Sequence, residues 1–148
     1  MKTKWYGSAD NRLMETLKDP EEITVGMGAT EIFWSDRRPY EVTAVRDQKH
    51  ITIRRLTAKH IDEAYSNHWE LVSDPENPEF DLTKRGESWF ITRALTLEEW
   101  NGLDLHGRLM AGLNGFDGEK LAKRGKQTKY TKMNIKFGFA DKYYDYEF

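Results

Sequence analysis

The chain has 148 residues, 38% hydrophobic and 32% charged, with a formal net charge of −2, which suits one ordinary core and is too short for two domains. An aromatic content of 13% excludes a disordered chain, and the absence of cysteine excludes disulfides, thiolate metal sites and cysteine nucleophiles. No apolar run approaches a membrane span and the start, MKTKWYGSADNR, has no signal core, so a cytoplasmic protein without membrane contact is expected.

Residues 1–20 predict a short N-terminal helix: Ser8 or Asp10 caps it, Leu13, Met14 and Leu17 share a side, and Asp19-Pro20 ends it. A helix this short is unstable alone in water and must dock on its own domain or a neighbouring subunit. Residues 25–95 predict the β core. Thr30, Ile32 and Trp34 alternate to one face, then Tyr40, Val42 and Ala44, then Ile51 and Ile53 after a tight turn at Asp47-Gln48. Asp36, Arg37, Arg38 and Pro39 fall at a turn between the first two runs. HWELV predicts a strand and SDPENPEFD an exposed loop. In ESWFITRAL, Trp89, Ile91 and Leu95 alternate with Phe90, Thr92 and Ala94, the pattern of a strand covered on both faces.

Thr96-Leu97-Glu98-Glu99 matches a capping box and opens an insert over 96–125, rich in glycine and carrying a short helix or two. Residues 127–148 form a C-terminal strand and tail, with Thr131, Met133, Ile135 and Phe137 on one side of the strand. The whole predicts a single α+β domain, residues 1–148: a small, strongly bent antiparallel sheet or SH3-like barrel with a short N-terminal helix and a helical insert.

Charge is segregated. Seven acids and no Lys or Arg lie between Ile61 and Asp81; seven Lys or Arg and no acid lie between Lys120 and Lys136. The segments are solvated faces, or they orient a polyanion or pair with a second subunit. The four histidines lack metal-ligand spacing, no triad or nucleophile elbow can be assembled, and Gly107 to Gly112 lacks the Lys-Ser/Thr of a phosphate loop. No motif calls for a cofactor or a metal, and nothing argues for an enzyme. Anion binding fares better. Arg37 and Arg38 either solubilise a hairpin tip or clamp a phosphate with guanidinium forks. Arg93, on the Trp89/Ile91 face, is either ion-paired or faces a ligand. Tyr130, Lys132 and Lys136 would suit single-stranded nucleic acid, though the slightly negative chain makes nucleic acid the weaker reading. The aromatic tail, Tyr143, Tyr144, Tyr146 and Phe148, leaves a protein–protein adaptor as a further alternative.

The stretches VGMGAT (Val25–Thr30), WSDR (Trp34–Arg37) and PYEV (Pro39–Val42), followed at the C-terminus by YYDYEF (Tyr143–Phe148), resemble a family of small bacteriophage and prophage proteins. Part of that group is similar to the anti-Thoeris sponges, which sequester cyclic ADP-ribose signals. The resemblance implies a non-catalytic homo-oligomer that counters host defence by binding a cyclic ADP-ribose-type nucleotide. By that resemblance Phe90 stacks on adenine and Arg37 holds a phosphate. Arg38, Arg93, Lys142 and Tyr143 complete the expected ligand set. The family's tail arginine falls at Ala140 here, with Lys142 close by.

Overall fold

The computed structural model describes residues 18–61 and 67–143. The predicted N-terminal helix and the tail beyond Tyr143 lie outside those residues.

Seven strands form one antiparallel sheet and two more a separate ribbon. Strands β1 (Gly28–Ile32), β2 (Arg37–Asp47) and β3 (His50–Arg55) follow one another through short turns. The ribbon β4 (Thr57–His60) and β5 (Trp69–Val72) branches off. The chain then returns as β6 (Glu79–Arg85) beside β3, and β7 (Ser88–Thr96) beside β6. Helices α1 (Leu97–Asn101), α2 (Leu105–Leu113) and α3 (Gly118–Arg124) make up the insert, and β8 (Lys126–Met133) and β9 (Ile135–Phe137) close the described chain.

The sheet order is β8-β7-β6-β3-β2-β1-β9. Its two edge strands are thus consecutive in sequence, separated by Asn134 alone. One residue cannot cross a flat seven-stranded sheet, whose neighbouring strands lie about 4.8 Å apart. The sheet must therefore bend until its edges nearly meet. It does so without closing into a barrel, so the bent-sheet form of the expectation holds and the SH3-like barrel does not. Inside the bend, Trp89 of β7 meets Phe137 of β9, ring centroids 5.1 Å apart. Around that pair Val42, Ile51, Ile53, Leu82, Met133 and Ile135 are buried. Each large aliphatic side chain so buried stabilises the fold by roughly 1.5–3 kcal/mol.

Period-two patterning reads β3, β7 and β8–β9 well: Ile51, Ile53, Trp89, Met133, Ile135 and Phe137 all point inward. It fails where backbone geometry breaks the period. The β2–β3 register shifts between Val42 and Ala44, so Ala44 turns out to solvent and Val45 takes over packing on the core. Trp34 lies beyond the end of β1 and is half exposed. Residues Glu79–Asp81, expected in an exposed loop, begin β6, and Phe80 packs edge-on against Tyr40.

On β7, Phe90 is half-buried and Ala94 exposed, so the strand is not covered on both faces. Arg93, expected among apolar neighbours, is also exposed, because by that point β7 has run past the core to the edge pairing Arg93 with Lys129. The capping box forms as expected. Thr96 accepts from the Glu99 amide and the Glu99 carboxylate accepts from the Thr96 amide.

Candidate functional site: a cationic cleft beside the C-terminal strand

The turn of the first hairpin is Phe33–Asp36, where the Phe33 amide donates to the Asp36 carbonyl. Arg37, Arg38 and Pro39 are therefore strand residues, paired with Ile32, Glu31 and Thr30 of β1. Successive strand side chains point oppositely, and that separates the two arginines. Arg37 is buried and Arg38 half-exposed.

Arg37 is committed to the C-terminal segment. Its amide donates to the Tyr143 carbonyl (2.9 Å), the Tyr143 amide donates back (3.1 Å), and its guanidinium lies 4.6 Å from the Tyr143 ring centroid. Its Nε stands 2.8 Å from Asp141 Oδ2. Arg38 lies over the Phe33 ring at 4.8 Å, with Glu31 Oε1 at a loose 3.8 Å. Glu31 is already held by the Tyr40 hydroxyl at 2.8 Å. Burial and that carboxylate push the Tyr40 phenol well above its ordinary range.

Two residues of the GAT run place the tail. Gly28 lies so close to it that a Cβ would meet the Ala140 nitrogen at 2.7 Å and the Phe139 carbonyl carbon at 2.9 Å. Thr30, fully buried, donates its hydroxyl to the Phe139 carbonyl (2.9 Å) and accepts from the Asp141 amide (3.1 Å). The chain reversal that starts this segment needs Gly138, at φ +110°. These contacts set Asp141 against Arg37 and bring Lys142 over the sheet end.

Lys142 lines two cavities. One, about 250 Å³, is shared with Phe33, Asp36, Arg37 and Arg38. The other, about 350 Å³, is walled by Arg55, Leu56, Thr57, Asn77 and their neighbours. Its ammonium lies 5.6 Å from the Trp69 ring centroid on the β4–β5 ribbon. Burial holds the Lys142 ammonium below its ordinary lysine range, reinforced by the Arg55 and Arg38 charges and opposed by Asp36. Cations are thus gathered at the end of the sheet, partly desolvated and flanked by aromatic rings, a chemistry able to give charge-assisted hydrogen bonds to an anion.

The expected ligand set therefore divides. Arg37, Arg38, Lys142 and Tyr143 come together. Phe90 and Arg93, on β7, line neither cavity. Arg55, at the end of the apolar strand β3, lines the second cavity. Phe33 and Trp69 also belong to the cleft, although sequence spacing did not mark them. A third cavity, about 250 Å³, opens on the outer sheet face among Arg46, His50, Thr52, Asp81, Thr83 and Thr92. Four of its polar groups are turned on one another: Thr52 donates to Asp81 (2.9 Å) and the Thr83 and Thr92 hydroxyls meet at 2.7 Å.

Among the described residues no three His, Asp or Glu side chains gather as a metal set, and no helix is long and apolar enough to cross a membrane. No protein-family model, no curated protein and no solved structure matches the chain.

Proposed function

We propose that this protein binds a phosphorylated nucleotide at the Arg38–Arg55–Lys142 cleft and holds it without turning it over. The observation that carries this reading is Lys142. Half-buried, it lines one cavity with Arg37 and Arg38 and the other with Arg55, so an anion in either cavity meets an ammonium and a guanidinium together, with Asp36 the opposing charge at Lys142. Phosphate oxygens take charge-assisted hydrogen bonds from guanidinium and ammonium groups together. Phe33, 38% exposed, offers apolar surface for the ligand's ring, and Trp69, packed against His60 with ring centroids 3.8 Å apart, borders Lys142. Sequestration of a cyclic ADP-ribose-type signal against a host defence, the role implied by the phage-family resemblance, is the biological form we assign to this binding.

Native mass spectrometry of the purified protein, after incubation with nucleotide extract from defence-activated cells, tests the reading. One added mass per chain, released chemically intact on heating and lost in Arg38→Ala and Lys142→Ala, is expected. An unliganded protein, or a ligand released in altered form, overturns it.

A single-stranded nucleic-acid module is the second reading, favoured by the Arg85 guanidinium 4.8 Å from the centroid of the exposed Tyr130 ring. It requires oligonucleotide binding that weakens steeply with salt and on Lys132→Ala.

A further inference from the structure

Helix α2 turns its leucines outward. Gly107, Arg108 and Ala111 are its half-buried positions, whereas Leu105, Leu109, Leu113 and Met110 are 87%, 61%, 74% and 46% exposed. The three leucines recur at i, i+4 and i+8, which is one continuous stripe on a helix. Nine residues cannot sustain a helix alone in water. What holds α2 in place is the Asp104 cap on the Gly107 amide and the Arg108 guanidinium on the Trp100 carbonyl. Neither explains the leucines.

We infer that this face is covered by α2 of a second copy of the chain, packed antiparallel across a two-fold axis at Leu109. The stripe is symmetric about Leu109, so such an axis sets Leu105 against the partner's Leu113 and repeats the contact at the other end. Antiparallel helices place each positive N-terminus beside a negative C-terminus. No acid, lysine or arginine interrupts the stripe, so self-pairing brings no like charges together. Gly112 borders it with nothing within 4 Å of where a Cβ would stand, and that space lets the second helix approach closely. The four residues expose roughly 500 Å² per copy, so their complete burial in a pair would cover at most about 1,000 Å², the lower bound of a specific interface. An area this small fits a weak dimer that forms only as the protein concentration rises. The inference does not rest on the nucleotide reading, because α2 contributes nothing to either cavity around Lys142.

Sedimentation velocity of the full chain over about 1–200 µM is the test, with two variants. The wild type is expected to shift from monomer to dimer, and Leu109→Glu to stay monomeric with an unchanged circular dichroism spectrum. The chain has no cysteine, so Leu109→Cys places a single thiol on the axis and should give a disulfide-linked dimer on oxidation. A wild type that stays monomeric throughout, a dimer that survives Leu109→Glu, or a Leu109→Cys chain that does not cross-link overturns the inference. So does a monomer that assembles only with a different protein.

Discussion

Arg37 and Tyr143 exchange both backbone hydrogen bonds, at 2.9 and 3.1 Å, while the guanidinium of one lies over the ring of the other. This bridge ties the start of β2 to a segment 106 positions later in the chain. It gives Arg37 a part in construction, although Arg37 borders the same cavity as Arg38, and Arg38 is the more exposed of the two. Two adjacent arginines thus do different work because a strand sends consecutive side chains to opposite faces.

Substituting each arginine by alanine separates those roles. Arg37→Ala strips the partner from Asp141, which is itself partly exposed, and removes the cation over Tyr143; a loss of about 1–3 kcal/mol in stability is expected. Arg38→Ala should stay within about 0.5 kcal/mol of the wild type yet weaken nucleotide binding by roughly tenfold or more. Urea denaturation and calorimetric titration of both variants check this. Equal stability losses would contradict the assignment.

Thr30 and Gly28 should control the cleft without touching a ligand. Thr30→Val leaves the Phe139 carbonyl and the Asp141 amide without their shared hydroxyl, costing about 1–3 kcal/mol. Gly28→Ala forces a methyl against the backbone at Ala140 and should cost about 1–3 kcal/mol. Both variants should lose affinity as well, since Lys142 is held by the same segment. Chemical denaturation read alongside ligand titration measures both effects.

Phe90→Ala and Arg93→Ala should leave nucleotide affinity within about twofold of the wild type, whereas Trp69→Ala should lower it by roughly 1–3 kcal/mol if the ring takes the stacked base. Competition binding with one labelled nucleotide ranks all three. A Phe90→Ala variant that binds tenfold more weakly would move the site to β7.

Lys142 gives the pH dependence. Its ammonium is depressed in the folded chain by burial, Arg55 and Arg38. Between that lowered value and the ordinary lysine pKa of about 10.4, the unfolded chain binds more protons, so stability rises as pH climbs through this window. Anion affinity moves the opposite way, falling as the ammonium is lost. Titrations between about pH 7.5 and 10.5 should show that fall, and Lys142→Arg, which keeps its charge, should flatten it. An identical fall in Lys142→Arg would assign the titration to another group.

Local chemistry was enough for the capping box at Thr96–Glu99, for the inward face of Ile51 and Ile53, and for the inward triplet Met133, Ile135 and Phe137. Each follows from spacing within a few residues, a period of two in a strand or a three-residue reach at a helix start. The α+β class and the strongly bent antiparallel sheet were legible in the same way, from short apolar runs separated by turns. Patterning misled at Ala44, where one bulge reversed the face, and at Arg93, where the strand outran the core.

Long-range placement lay beyond the reach of such rules. That β8 and β9 are opposite edges of one sheet, that Thr30 anchors residues 139 and 141, and that Lys142 stands beside Arg55 are all consequences of the sheet's bend. The sequence by itself determined most of the residues that pack inward and that basic side chains adjoin aromatic strands. Only the tertiary structure decided which of those side chains share a cleft, because closing the bend brings together residues whose separation along the chain carries no local signal.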